Sequence, residues 1–74
     1  MKQLIVYRGR NSWMAEFKGE EAATITSLFG TNHLPMPFTL QATAPQVLEA
    51  VKNQKANVGY EIFLETPTGR EQVR

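Results

Sequence analysis

His33 is the only histidine in the chain, and histidine is the residue type that exchanges protons near neutral pH. As a general base it needs a nucleophile within hydrogen-bond reach and an acid to orient it. The serines are Ser12 and Ser27; cysteine and aspartate are absent. Ser27, one turn before the helix stop at Gly30, could approach His33 across the helix end, but nothing in the spacing demands it and no aspartate exists to complete a triad. The residue therefore reads as a loop histidine and not as a catalytic base. The carboxylates are Glu16, Glu20, Glu21, Glu49, Glu61, Glu65 and Glu71. Glu20-Glu21 reads as a helix start, where acidic side chains oppose the macrodipole. Glu61 and Glu65 share one strand face but lie about 13 Å apart at strand rise, too far to share a metal ion. One histidine and no cysteine leave no four-ligand metal site. The expectation is a protein with no catalytic set, no metal and no cofactor.

Two segments have the chemistry of binding. Arg8-Gly9-Arg10-Asn11-Ser12-Trp13 sets two guanidiniums and an indole at a turn. Arg8 and Arg10 can fork to phosphate and Trp13 can stack a base. The competing expectation turns Trp13 into the core with Ala15 and Phe17. The second segment is Pro35-Met36-Pro37-Phe38. Met36, Pro37 and Phe38, with His33 beside them, form a candidate apolar ledge for a protein partner, and an adjoining edge strand would permit sheet extension.

These segments must be positioned by a small scaffold. The chain has 74 residues, which fits one domain spanning 1–74. At that size a core without disulfides is marginal, and self-association as a homodimer is one way to stabilise it. Eight Lys/Arg against seven Glu give a net charge of +1, unlike the basic balance of a nucleic-acid domain. No apolar run reaches membrane-spanning length, and Leu4-Ile5-Val6-Tyr7 is too short for an export-signal core. With no cysteine, the cytoplasm is the expected compartment.

Residues 3–8 and 13–18 alternate as strands around the turn residues Gly9–Ser12, a hairpin. Leu4 and Val6 oppose Ile5 and Tyr7, so both faces of the first strand are apolar, as in a central strand. Ala22, Ile25, Leu28 and Phe29 recur at helical spacing, and Gly30 fits the left-handed C-terminal position. β-Branched Thr24, Ile25 and Thr26 weaken that helix, so packing of its stripe is expected to hold it. Phe38–Ala42 reads as a strand, with Pro35 and Pro37 at its start marking a sheet edge. Thr43 or Ala44 caps a second helix whose stripe is Ala44, Val47, Leu48 and Val51, with Pro45 in its first turn. Asn57 ends the connection, and Val58–Glu65 forms a strand. Thr66-Pro67-Thr68-Gly69 has type I turn composition. Residues 70–74 are a short returning strand or a tail.

Two resemblances attach to these residues. Leu28-Phe29-Gly30-Thr31-Asn32-His33-Leu34-Pro35-Met36-Pro37-Phe38-Thr39, with the Trp13–Phe17 hairpin before it and Val47–Val51 after it, resembles a family of short uncharacterised bacterial proteins. That likeness covers residues 4 to about 58 and implies no assigned activity. Leu34-Pro35, Phe38-Thr39 and Thr43 leading into a helix are similar to the HicB-like antitoxin pattern over about twenty residues. Met36-Pro37 stands where that pattern has Gly-Cys, and Gln41-Ala42 where it has Gly-Asp. The second likeness implies a related strand–helix core and a partner-binding role, with no catalytic residue carried over.

The sequence thus predicts an α+β fold: a small antiparallel or mixed sheet in the order β-β-α-β-α-β, with a further short strand left open, and two helices on one face. The expected function is that of a non-enzymatic, partner-binding or self-associating regulatory module. The alternative is a nucleic-acid-binding regulator using Arg8, Arg10 and Trp13.

Overall fold

Gly9 donates its backbone N–H to the Ser12 carbonyl at 2.8 Å, and this closed turn reverses the chain between its first two strands. The computed structural model describes residues 1–54 and 59–73. The elements are β1 Lys2–Arg8, β2 Ser12–Gly19, α1 Ala22–Phe29, β3 His33–Thr39, α2 Ala44–Asn53, β4 Tyr60–Thr66 and β5 Gly69–Val73. The strands form one mixed sheet in the order β3-β2-β1-β4-β5. β1 pairs antiparallel with β2 and parallel with β4, which makes it the central strand. The fold is the α+β arrangement that the sequence predicts, and the returning strand is present as β5, paired antiparallel with β4. The expected end of the connection at Asn57 and start of a strand at Val58 lie outside the described residues. Among the described residues, no helix is long and apolar enough to cross a membrane.

Leu4 and Val6 of β1, Trp13 and Ala15 of β2, Ile62 of β4, and Val47 and Val51 of α2 form the buried cluster. Strand period and helix period meet there: residues two apart on each strand face residues four apart on α2. Ile5 is also buried, on the opposite face of β1, in a cross-strand row with Glu16 and Phe63. α2 begins with a complete capping box. The Thr43 side chain accepts from the Gln46 N–H, and the Gln46 side chain accepts from the Thr43 N–H. This satisfies helix-start donors that would otherwise lack partners.

β3 departs from the expected bounds. It runs His33–Thr39, so both prolines lie inside it, and it ends before Leu40. Pairing explains the start. Phe17 N–H bonds the Asn32 carbonyl, and the register continues through Glu16↔His33, Ala15↔Leu34 and Met14↔Pro35. Hydrogen-bonded and non-bonded pairs alternate along an antiparallel ladder, so His33 and Pro35 fall at non-bonded positions. A missing N–H costs nothing at such a position of an edge strand. Between Pro35 and Thr39 the register shifts against Met14 and Ser12, a bulge that takes up Pro37 beside Trp13. The end has a different cause. Ala42 N–H bonds the Thr39 carbonyl, and the Leu40 and Ala42 carbonyls accept from Arg8 Nη1 and Trp13 Nε1, which replaces the ladder.

α1 also departs from expectation. Gly30 ends it as predicted, at φ 78°, with its N–H on the Thr26 carbonyl. None of its residues is buried, and Leu28 and Phe29 are 71% and 59% exposed. Both of its ends are tied near the end of β2. Glu20 N–H bonds the Met1 carbonyl, and Asn32 bonds Phe17 through backbone and side chain. The helix is therefore held beside β2, and of its stripe Ala22 and Ile25 are half-buried while Leu28 and Phe29 lie open.

Trp13 generates the stability prediction. Trp13→Phe keeps most of the ring but leaves the Ala42 carbonyl without its donor, at an expected cost of about 1 kcal/mol. Trp13→Ala is expected to cost about 3–5 kcal/mol and to leave a domain of this size largely unfolded at room temperature. Urea unfolding followed by circular dichroism measures both. A Trp13→Ala midpoint close to that of the parent protein would contradict the assignment of Trp13 as the core anchor.

Candidate interaction surface

The hairpin tip places its three candidates differently. Trp13 is only 2% exposed and donates Nε1–H to the Ala42 carbonyl at 3.0 Å. Arg8 stacks on the same indole, Cζ 4.6 Å from the ring centroid, and donates Nη1–H to the Leu40 carbonyl at 2.7 Å. The indole faces the core on one side and a guanidinium on the other, which leaves no open ring face for a base to stack on. Arg8 and Arg10 are both exposed, and Trp13 is the buried member of the set. The cation–π pair and its two hydrogen bonds fasten the segment between β3 and α2 to the first hairpin. This is an intramolecular role for residues whose composition also suits nucleic acid.

The ledge residues divide as well. Met36 and Phe38 are half-buried and pack against the core, while His33 and Pro37 are exposed. Met36, Pro37 and Phe38 line a groove of about 180 Å³ with Leu34, Phe17 and Val51. His33 belongs to another neighbourhood. Its Nδ1 lies 2.7 Å from Tyr7 Oη, its Nε2 lies 3.8 Å from Glu16 Oε2, and its ring meets the Tyr7 ring edge-on at 5.8 Å. Its backbone N–H donates to Thr31 Oγ1. With that donor engaged and Pro35 lacking one, the outer edge of β3 offers little to an added strand.

The Tyr7, Glu16 and His33 constellation, drawn from three adjacent strands, escapes sequence reading. Its only advance signal is that Tyr7, Glu16 and His33 come together if β2 lies between β1 and an edge strand beginning at His33. Burial, followed by the nearby carboxylates of Glu16 and Glu65, pushes the Tyr7 phenol up. Tyr7 and Glu16 are the side chains nearest the His33 ring nitrogens, and neither serine is among its partners. Among the described residues, no group of three or more His or Glu side chains is placed to hold a metal ion. A second cavity, of about 340 Å³, lies at the C-terminal ends of the parallel strands β1 and β4, between Arg8, Trp13, Glu65 and Pro67.

Among the described residues, the large apolar side chains left in water, apart from Met1, are Leu28 and Phe29 on α1. Ala22–Phe29 contains no charged residue. The carboxylates before it are already engaged within the chain. Glu20 pairs with the N-terminal amine at 2.7 Å, and that contact lowers its pKa. Glu21 accepts from the Tyr60 hydroxyl and pairs with Lys2 Nζ at 3.4 Å; the Tyr60 bond is the main cause of its lowered pKa. Tyr60 in turn packs edge-on against Phe17 and beneath the Lys2 ammonium. The start of α1 is thus clasped to the sheet, while its last turn projects.

The clasp has a titration signature. Burial first, and the Glu21 carboxylate second, push the Tyr60 phenol up to about 12. An unfolded chain ionises the same phenol near pH 10, so the folded state gains from neutral Tyr60 below that pH. The gain is lost as pH rises from about 10 towards about 12. Between pH 9 and 11.5, the urea midpoint is therefore expected to fall further in the parent protein than in Tyr60→Phe. Equal falls would contradict the clasp.

No protein-family model matches the chain, and no curated protein or solved structure matches it.

Proposed function

We propose that this protein is a non-enzymatic protein-interaction module and that α1 is its contact element. The observation that carries this reading is a helix of eight residues that buries none of them and has no charged side chain. Isolated helices shorter than about 12–15 residues are marginal in water, and most helices in proteins are held by packing of an apolar face. Here Leu28 and Phe29, the residues that would supply such packing, point away from the core. Covering each of them contributes about 1.5–3 kcal/mol, enough to stabilise α1 and bind a partner together. The positions on β3 support the same reading less directly. Met36 and Phe38 already pack within the chain, so they extend a contact surface and do not centre it.

In-cell photocrosslinking tests the reading. A benzophenone amino acid in place of Phe29 is expected to give a covalent protein adduct, at higher yield than the same residue in place of the exposed loop residue Gln41. No adduct at position 29, or equal yields at the two positions, would contradict it.

A further inference from the structure

We propose that the cavity at the C-terminal ends of β1 and β4 binds a small organic monoanion, a carboxylate on an apolar body, with Arg8 as the residue that holds the anion. The proposal is independent of α1, which has no residue in the cavity lining.

Position is the first argument. β1 is central: the chain leaves it by a hairpin to β2 on one side, and β4 returns parallel to it on the other. In open sheets with parallel strands, ligands bind outside the carboxyl ends, where connections depart in opposite directions. Here α2, the helix that leads to β4, starts at that end, so Ala44 shares the cavity with Arg8 and Pro67. The cavity measures about 340 Å³, within the range of about 300–1,000 Å³ that holds small ligands.

Charge selects the sign. The charged side chains in the lining are Arg8 and Glu65. Glu65 is neutralised by Arg70, whose Nε and Nη2 both donate to Oε1. Arg8 has no carboxylate partner among the described residues; its contacts are the Leu40 carbonyl and the Trp13 ring. A guanidinium carries five N–H donors in one plane. The bond to Leu40 uses one of them, and stacking on the indole fixes the plane of the others. A carboxylate matches such a fork with two parallel bonds. One unpaired cation balances one negative charge, whereas a phosphate dianion would leave a surplus charge beside Glu65.

The walls select the body. Trp13, Ala44, Leu64 and Pro67 present ring and aliphatic carbon. Trp13 belongs to the core, and Ala44 and Leu64 pack against it, so the fold holds these walls in place. An apolar group seated on them leaves water while its carboxylate stays at the exposed Arg8.

Two-dimensional NMR titration of the full chain with phenylacetate tests the proposal. The Arg8 Nε–H, Trp13 Nε1–H and Ala44 N–H signals are expected to move together, with a Kd of about 1 mM. Neutral phenylacetamide, cationic phenethylamine and inorganic phosphate are each expected to bind at least about tenfold more weakly. Arg8→Gln removes the charge and should weaken phenylacetate binding by about tenfold or more. Arg10→Gln removes the same charge from the exposed turn and should leave the Kd within about twofold of the parent value. The four probes on the parent chain suffice if Arg8→Gln does not fold. Signals that stay still up to about 20 mM phenylacetate overturn the proposal. Equal affinity for phenylacetamide overturns it, because the guanidinium then reads no charge. Equal affinity for phosphate does so as well, because the walls then contribute nothing. Equal weakening by Arg8→Gln and Arg10→Gln would report net charge alone and would also overturn it.

Discussion

The structure depends on what Trp13 does with both its ring and its nitrogen. The ring fills the cluster between β2 and α2, and Nε1 holds the Ala42 carbonyl. Arg8 lies over the indole and holds the Leu40 carbonyl. One aromatic residue and its cation thereby end β3, turn the chain and deliver Thr43 to its capping position. The bulge in β3 lies opposite Trp13, where Pro37 interrupts regular pairing. The proximity of Trp13, Arg8 and the prolines is thus mechanical: an irregular strand edge needs side-chain donors where backbone donors are missing.

With α2 fixed in this way, the sheet has one helix that buries residues and one that does not. α1 is held at both ends by polar contacts, through Glu20 and Glu21 before it and Asn32 after it, while its last turn projects. Polar anchors at the ends with an apolar turn between them describe an element that is positioned by the fold but not covered by it. The histidine cluster lies on the strand that follows. Tyr7, Glu16 and His33 tie the start of β3 to β2 and β1, which stiffens the exit from α1.

Local features were readable from sequence because their causes are local. Gly9–Ser12 turns, Gly30 stops a helix, Thr43 caps one, and two prolines mark an edge; each follows from a residue's own torsions or missing donor. Other features depended on what lies across from a residue. The β3 start could not be read because proline disfavours a ladder only on its bonded side, and which side that is depends on register. The α1 stripe was visible as a period, but a period says which residues share a face and not what the face meets. Tyr7 with His33, and Tyr60 with Glu21, are partners only because β2 and β4 flank β1. At the hairpin tip, composition allowed both a nucleic-acid contact and a core anchor. The cation–π geometry assigns Arg8 and Trp13 an internal role.

The central claim is that α1 is covered by another protein surface, and amide hydrogen exchange at Ile25–Gly30 tests it most directly. On isotope-labelled protein, these amides are expected to exchange markedly more slowly inside cells than in dilute buffer at about 10 µM, while those of β1 exchange at one rate in both. Rapid exchange of Ile25–Gly30 that is the same inside cells and in buffer would contradict the account.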